Sequence, residues 1–346
     1  MALARLLLAA LVIAALVLVF YHPSKHHAAP PAVSVTSVGH PILGVTASWE
    51  LFGLTSRGMV SVQFAHGQIT RTVLPPALGD GLVSFIVAPH QAIVRPLANV
   101  RGYLVPDGQP PRPLTGILAG GGLLLPGPAP GEEWFVDGLE AVTLVGPAGQ
   151  PTGVRIATAA QRWPAQSAMA DGRGDVLLFN DSGVLYDTGP GLLRQVGMLL
   201  AAVGPRSWLG LDCARTGCRN VVVNAATDAR RTLPGAALNV VTWPWPAQPG
   251  VIAPDGSFAA VRVAPRAMDV ALDLVNLRTG AVTTIPVAVD PASSSRTLAW
   301  SPDSRWLFVI TANGGLVAVS PRDGSVHSLG IPLPGLSQIA MRGASG

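Results

Sequence analysis

Residues 297–329 read Thr297-Leu-Ala-Trp-Ser-Pro-Asp-Ser-Arg-Trp-Leu-Phe-Val-Ile-Thr-Ala-Asn-Gly-Gly-Leu-Val-Ala-Val-Ser-Pro-Arg-Asp-Gly-Ser-Val-His-Ser-Leu329. Four short apolar runs stand out, at 297–301, 306–310, 316–320 and 325–329, each the length of a strand and too short for a buried helix. Between the first two, Ser301-Pro-Asp-Ser304 is a turn: Pro fixes φ, and the Asp side chain can bond the backbone beyond it. The segment is one four-stranded meander. The remaining question is whether the rest of the chain repeats it.

Working outward, turn residues recur between apolar runs at Gly67, Gly108, Gly149, Gly189, Asp228, Gly280 and Gly324. The interval is about 40 residues, with a longer gap before Gly280, and a four-stranded unit of about 40 to 45 residues is the period of a β-propeller blade. Helical repeats of similar length need an apolar period of 3.6, which these Gly- and Pro-broken runs lack. The spacing predicts an all-β chain folded as a seven-bladed propeller, with six or eight blades as the neighbouring counts. A leftover strand at 336–341 is expected to complete blade one, whose own sequence begins abruptly at Trp49-Glu-Leu-Phe-Gly53. Such closure pairs both ends of the body and removes an open sheet edge.

Ala253-Pro-Asp-Gly256 repeats the Ser301-Pro-Asp-Ser304 device, and Asp171-Gly172 holds a comparable place earlier. These turns, together with Asn276-Leu-Arg-Thr-Gly280, resemble the WD40-like repeats of TolB-type bacterial propellers, most clearly over residues 250–330. The resemblance implies a fold and little about function. The stretch before the repeats is too short for the additional N-terminal domain of TolB, so the translocation role of that family is not carried over.

The N-terminus has a different character. Residues 6–21 read Leu-Leu-Leu-Ala-Ala-Leu-Val-Ile-Ala-Ala-Leu-Val-Leu-Val-Phe-Tyr without a charge, and the 1–5 lead extends them toward the roughly 20 residues needed to span a bilayer. This predicts a transmembrane helix or uncleaved signal anchor. A cleaved signal peptide also fits the charged start, but the apolar core is long for one and no A-x-A site follows directly. Residues 22–44 are read as a Pro-containing tether, 45–342 as the propeller and 343–346 as a tail. Arg5 on one side and Lys25 on the other leave the positive-inside rule without a clear answer.

Cys213 and Cys218 supply the orientation. Within Asp212-Cys-Ala-Arg-Thr-Gly-Cys-Arg-Asn220 their spacing suits a cross-link at the neck of a hairpin, useful mainly in an oxidising compartment. A metal site would need two further ligands that no nearby Cys or His supplies. The body is therefore expected on the extracytoplasmic side of the cytoplasmic membrane.

Charged residues make up 12% of the chain against 49% hydrophobic, with 39 Gly and 32 Pro, a balance that favours many strands joined by tight turns over disorder. The net charge of +4 comes from scattered Arg and a single Lys. No basic stripe is present, and nucleic acid is not an expected partner. Arg in place of Lys, with abundant Ala, Gly, Pro and Val, fits a GC-rich bacterial coding bias.

Propeller enzymes gather their chemistry around the central channel. The inner strands expected at 82–88, 117–121, 167–170, 199–203, 239–243, 297–301 and 337–341 contain no Asp, Glu or His. General acid-base or metal-assisted hydrolysis is hard to run from such a channel. No catalytic, cofactor-binding or metal-binding residue is therefore assigned. His90, just beyond an expected inner strand, lacks a partner at a telling spacing; His22, His26 and His27 flank the apolar segment. Residues 171–175, Asp-Gly-Arg-Gly-Asp, with Asn180 and Asp181, lack the alternating calcium-loop pattern and read as turns. Trp243-Pro-Trp-Pro246 holds two aromatics rigidly, and Trp243 and Trp245 form a candidate binding patch, with packing between blades as the simpler use. The expectation is a non-enzymatic, membrane-anchored binding or scaffold module for a protein, peptide or cell-envelope ligand. The alternative is an extracytoplasmic hydrolase or lyase using loop residues such as His90, Asp137 or Glu140.

Overall fold

The computed structural model describes residues 33–75, 83–96, 102–115, 122–129, 131–136, 141–146, 149–157, 168–179, 185–187, 194–240, 249–266, 269–289 and 296–343. The apolar segment at 6–21, the patch residues Trp243 and Trp245, and Asp137, Glu140, His22, His26, His27, Asn180 and Asp181 lie outside them. Among the described residues no helix is long and apolar enough to cross a membrane.

Those residues form six hydrogen-bonded sheets and one short 3-10 turn, Ile42–Gly44. Four sheets are four-stranded antiparallel meanders. An eight-stranded sheet consists of two more, joined where Ala202 and Val203 pair in parallel with Gly250 and Val251. The last meander follows the sequence reading closely: Leu298–Trp300, Leu307–Ile310, Leu316–Val319 and Val326–Ser328.

The first sheet draws on both ends of the described chain. Glu50–Thr55, Gly58–Gln63 and Gln68–Val73 run outward in sequence order, and Gln338–Arg342 pairs antiparallel with Glu50–Thr55 in the innermost place, Glu50 opposite Arg342 and Leu54 opposite Gln338. Outermost, Val33–Ser37 adds a fifth strand on Gln68–Val73. This corrects the expected tether at 22–44. Residues 33–37 are edge strand, and Ile42 and Val45 are buried in the body, because the edge of Gln68–Val73 offers unpaired backbone that the Val-Ser-Val-Thr-Ser run can satisfy.

Innermost strands follow one another around the body. Gln338–Arg342 lies beside Val83–Ala88, which lies beside Leu123–Pro126, which lies beside Ala168–Ala170; Leu199–Val203, Gly250–Ile252 and Leu298–Trp300 continue the series back to Gln338–Arg342. Two inner strands differ from the sequence reading, Leu123–Pro126 in place of 117–121 and Gly250–Ile252 in place of 239–243. Residues 117–121 and 241–243 lie outside the described residues.

Among the described residues, apolar clusters fill the seams between consecutive meanders. The seam between last and first meanders carries an aromatic trio: Trp49 and Phe64 at 4.5 Å, Phe64 and Phe308 at 5.1 Å, Trp49 and Phe308 at 5.9 Å between ring centroids. Tilted and edge-on pairs at these distances add attraction beyond the area they bury. Two polar ties reinforce the seam between the last two meanders: Trp300 Nε1 donates to the Val251 carbonyl at 3.0 Å, and the Asp255 amide donates to Ser304 Oγ at 3.0 Å.

The described turn residues of the repeat share one role. Gly67, Gly108, Gly149, Asp228, Gly280 and Gly324 all have positive φ, and each sits between the third and fourth strands of its meander, counted from the innermost. In three meanders the backbone is the same: Asp228, Gly280 and Gly324 donate to the carbonyls of Asn224, Asn276 and Ser320. Cys213 and Cys218 are directly opposed one pair from a two-residue turn and are joined as a disulfide.

Two glycine turns separate conformational from steric cost. Gly108→Ala, where a Cβ meets nothing within 4 Å at φ +64, is expected to cost about 1 kcal/mol. Gly280→Ala also puts its Cβ 2.5 Å from the Pro234 carbonyl oxygen and is expected to cost roughly twice that or more. Urea unfolding of both variants measures the difference; equal losses would mean that the Pro234 approach is soft. Replacing both Cys213 and Cys218 by Ser is expected to lower stability by at most about 2 kcal/mol in the same assay, as befits so short a loop.

Candidate functional site

Three consecutive inner strands, Gln338–Arg342, Val83–Ala88 and Leu123–Pro126, run in the same direction and end at a common cleft. Beyond Ala88 the chain turns through Pro89 and His90; beyond Pro126 it loops through Gly127, Pro128, Ala129 and Gly131 to Glu132 and Glu133. Gly127 donates to the Glu132 carbonyl at 2.8 Å and Glu132 to the Ala129 carbonyl at 3.0 Å, so the loop is tight and its shape is fixed by its own backbone. The cleft is open to solvent and measures about 660 Å³, within the range of small-ligand sites.

Arg342 holds one wall. Its Nη1 donates to the Ala88 carbonyl at 3.2 Å and to Asp107 Oδ1 at 3.0 Å, Nη2 pairs with Glu50 Oε2, and the guanidinium lies 4.6 Å above the Phe52 ring. The charge of this Arg is committed to two carboxylates. It stitches the closing strand to the first and second meanders.

Glu133 belongs to the opposite wall, at the start of Glu133–Val136, the second strand of its meander. It is fully buried, and neither carboxylate oxygen has a hydrogen-bond partner. Backbone pairing places it between Pro126 and Val145, an apolar setting. Burial, and secondarily the neighbouring Glu132, push its pKa from 4.5 up to about 8. Near neutral pH it is a neutral acid, able both to donate and to accept a hydrogen bond.

Arg95 occupies the same seam deeper in the body. Nη1 donates to the Gly122 carbonyl at 2.6 Å, the guanidinium lies 5.0 Å from the Phe135 ring centroid, and burial lowers its pKa to about 10. It does not line the cleft.

Of the sequence candidates, His90 lies in the cleft wall, with an exposed side chain and a backbone carbonyl that accepts from the Asp107 amide. Asp171 is fully buried and spends its carboxylate on its own turn: Oδ1 accepts from the Arg173 and Asp175 amides, and Oδ2 pairs with Arg173 Nε at 2.7 Å. Among the described residues no three His, Cys, Asp or Glu side chains gather as a metal site. The inner strands themselves carry no Asp, Glu or His. The buried acid lies one strand further out. Its signal was a Glu heading the otherwise apolar run Glu133-Trp-Phe-Val136, two positions before the inward-facing Phe135.

No protein-family model matches the sequence, and no curated protein matches it. Solved structures show the fold. A candidate 6-phosphogluconolactonase from Bacteroides uniformis is similar over 86% of this chain and 100% of that one, at 12% identity and a TM-score of 0.51. A puromycin-hydrolyzing peptidase from Mycobacterium tuberculosis is similar over 82% of this chain and 53% of the peptidase, at 14% identity and a TM-score of 0.50; this chain spans about half the length of that enzyme. TolB from Acinetobacter baumannii is also a structural neighbour, at 11% identity and a TM-score of 0.39 over 81% of this chain and 79% of TolB. The chain has an all-β propeller fold. At these identities the likeness extends to architecture and not to chemistry.

Glu133 makes stability depend on pH in a defined sense. Below 4.5 the folded and unfolded chains both hold its proton; as pH rises toward about 8 the unfolded chain loses it first, so stability falls and the full penalty is reached above 8. Glu133→Gln is expected to remove this component, leaving the variant more stable than the parent by roughly 3 to 5 kcal/mol at pH 8.5 and equal to it at pH 4, at about 1.4 kcal/mol per pKa unit. Thermal unfolding of both proteins across that range checks it. A constant difference between them would show that Glu133 ionises normally.

Proposed function

We propose that this chain is a seven-bladed propeller held at the outer face of the cytoplasmic membrane by its apolar 6–21 segment, and that it binds a ligand in the mouth cleft without covalent chemistry. The observation that carries the reading is the cleft itself: about 660 Å³, built on the ends of three inner strands and framed by a rigid Pro- and Gly-rich loop. The blade count is supported by the meanders and the seam clusters. The extracytoplasmic placement is supported by the disulfide and by the charge-free N-terminal run. The ligand class that suits such a cleft is a small molecule, or the exposed end of a peptide or cell-envelope polymer.

One observation favours a second reading, a hydrolase: His90 and the raised-pKa Glu133 share the cleft, and acid-base catalysts have such values. Binding is preferred because the described lining contains no Ser, Thr or Cys to act as a nucleophile.

Ala129→Trp fills the cleft from its loop and separates the readings. A thermal-shift panel of amino acids, short peptides and cell-wall fragments is expected to yield a ligand that raises the melting temperature of the parent and not of the variant, with no product released from peptide, ester or lactone substrates. Turnover that disappears in His90→Gln or Glu133→Gln would replace binding with hydrolysis. Ligands acting equally on parent and Ala129→Trp would move the site elsewhere.

A further inference from the structure

Resting on the mouth cleft as the binding site, we propose that its ligand presents a cationic nitrogen, a primary ammonium or guanidinium on an apolar body, and that Glu133 is the counter-ion it meets.

The charged and titratable residues of the described cleft wall are Glu132, Glu133, His90 and Arg342. Arg342 answers Glu50 and Asp107 together, two acids for one base, and contributes no spare positive charge. Glu132 is half-buried on the loop, and Glu133 directly follows it. The remaining lining is Ile86, Val87, Met341 and a group of Pro, Ala and Gly residues, which suits an apolar body. Arg95, the other buried charge of this seam, is held by Gly122 and Phe135. The described wall therefore offers carboxyl groups to a ligand and no uncommitted cation.

Glu133 is unusual in lacking any partner for either oxygen while being fully buried. A buried polar group left unsatisfied costs on the order of 1–3 kcal/mol, and folded proteins keep few of them. A ligand ammonium supplies the missing partner. On its arrival the Glu133 O–H bond breaks, the proton passes to solvent, and the carboxylate left behind pairs with the ammonium, so one proton is released for each ligand bound. An anion would find no uncommitted positive charge in the described wall and would lie beside Glu132; a neutral group would bring no charge to offset the ionised form of Glu133.

Calorimetry on the full chain tests this with three probes of equal length: 1-hexylamine, 1-hexanol and hexanoate. Each is titrated at pH 6, 7 and 8.5 in phosphate and in Tris, whose different ionisation heats report proton exchange. Hexylamine alone is expected to bind, with close to one proton released at pH 7 and an affinity that rises about tenfold between pH 6 and 7 and flattens above 8. Glu133→Gln, which the unpaired acid makes no less stable than the parent, is expected to bind at least tenfold more weakly, with neither proton release nor pH slope. His90→Gln is expected to keep both, which assigns the proton to Glu133, and Glu132→Gln to weaken binding less than Glu133→Gln does. Hexylamine binding without proton release, or unchanged in Glu133→Gln, would overturn the proposal. Hexanol or hexanoate binding in preference, and blocked by Ala129→Trp, would also overturn it while leaving the mouth as a binding site. Binding of any probe that Ala129→Trp leaves unchanged would overturn the site itself.

Discussion

The pairing of Gln338–Arg342 with Glu50–Thr55 is the constraint on which the rest of the body depends. A meander of four short strands buries little by itself; it is stable when both faces meet neighbours, and only a closed circuit gives every meander two. Five backbone-paired positions join the ends of the described chain, and the Trp49, Phe64 and Phe308 rings fill the seam beside them. Without that joint the first and last meanders would each expose an apolar face and an unpaired edge, the arrangement that invites aggregation.

Closure also builds the cleft. Arg342 is the last residue of the closing strand, and its contacts reach Glu50 in the first meander and Ala88 and Asp107 in the second. The wall opposite comes from the loop before Glu133 in the third. Stability and site therefore share residues at one end of the body. Sequence-distant groups meet there because the chain returns to its own beginning, and a buried acid is tolerated in an otherwise apolar seam because it can hold its proton.

Much of the architecture could be read from local chemistry. Residues with φ above zero are scarce outside Gly, Asn and Asp, so Gly67, Gly108, Gly149, Asp228, Gly280 and Gly324 mark the third turn of the six units in which that turn is described. The last meander was legible because Ser301-Pro-Asp-Ser304 and Gly324 bracket short, continuous apolar runs of strand length. The third and sixth inner strands were not: Leu123–Pro126 and Gly250–Ile252 are short, and tertiary pairing decides between them and the neighbouring runs at 117–121 and 239–243. The edge strand Val33–Ser37 was hidden by the prolines on either side of it. Glu133 is hidden for a different reason: it lies on the second strand and not on an inner one, and its burial between Pro126 and Val145 is set by tertiary pairing.

Ring closure has a direct readout in backbone amide protection. Hydrogen exchange followed by mass spectrometry on the intact chain, and on a chain ending at Gly335, reports on peptides covering Glu50–Thr55 and on those covering Gly250–Ile252 as a distant reference. The closed ring predicts strong protection of Glu50–Thr55 in the intact chain and its loss on truncation, earlier and more completely than at Gly250–Ile252. Equal protection of Glu50–Thr55 with and without the final strand would contradict it.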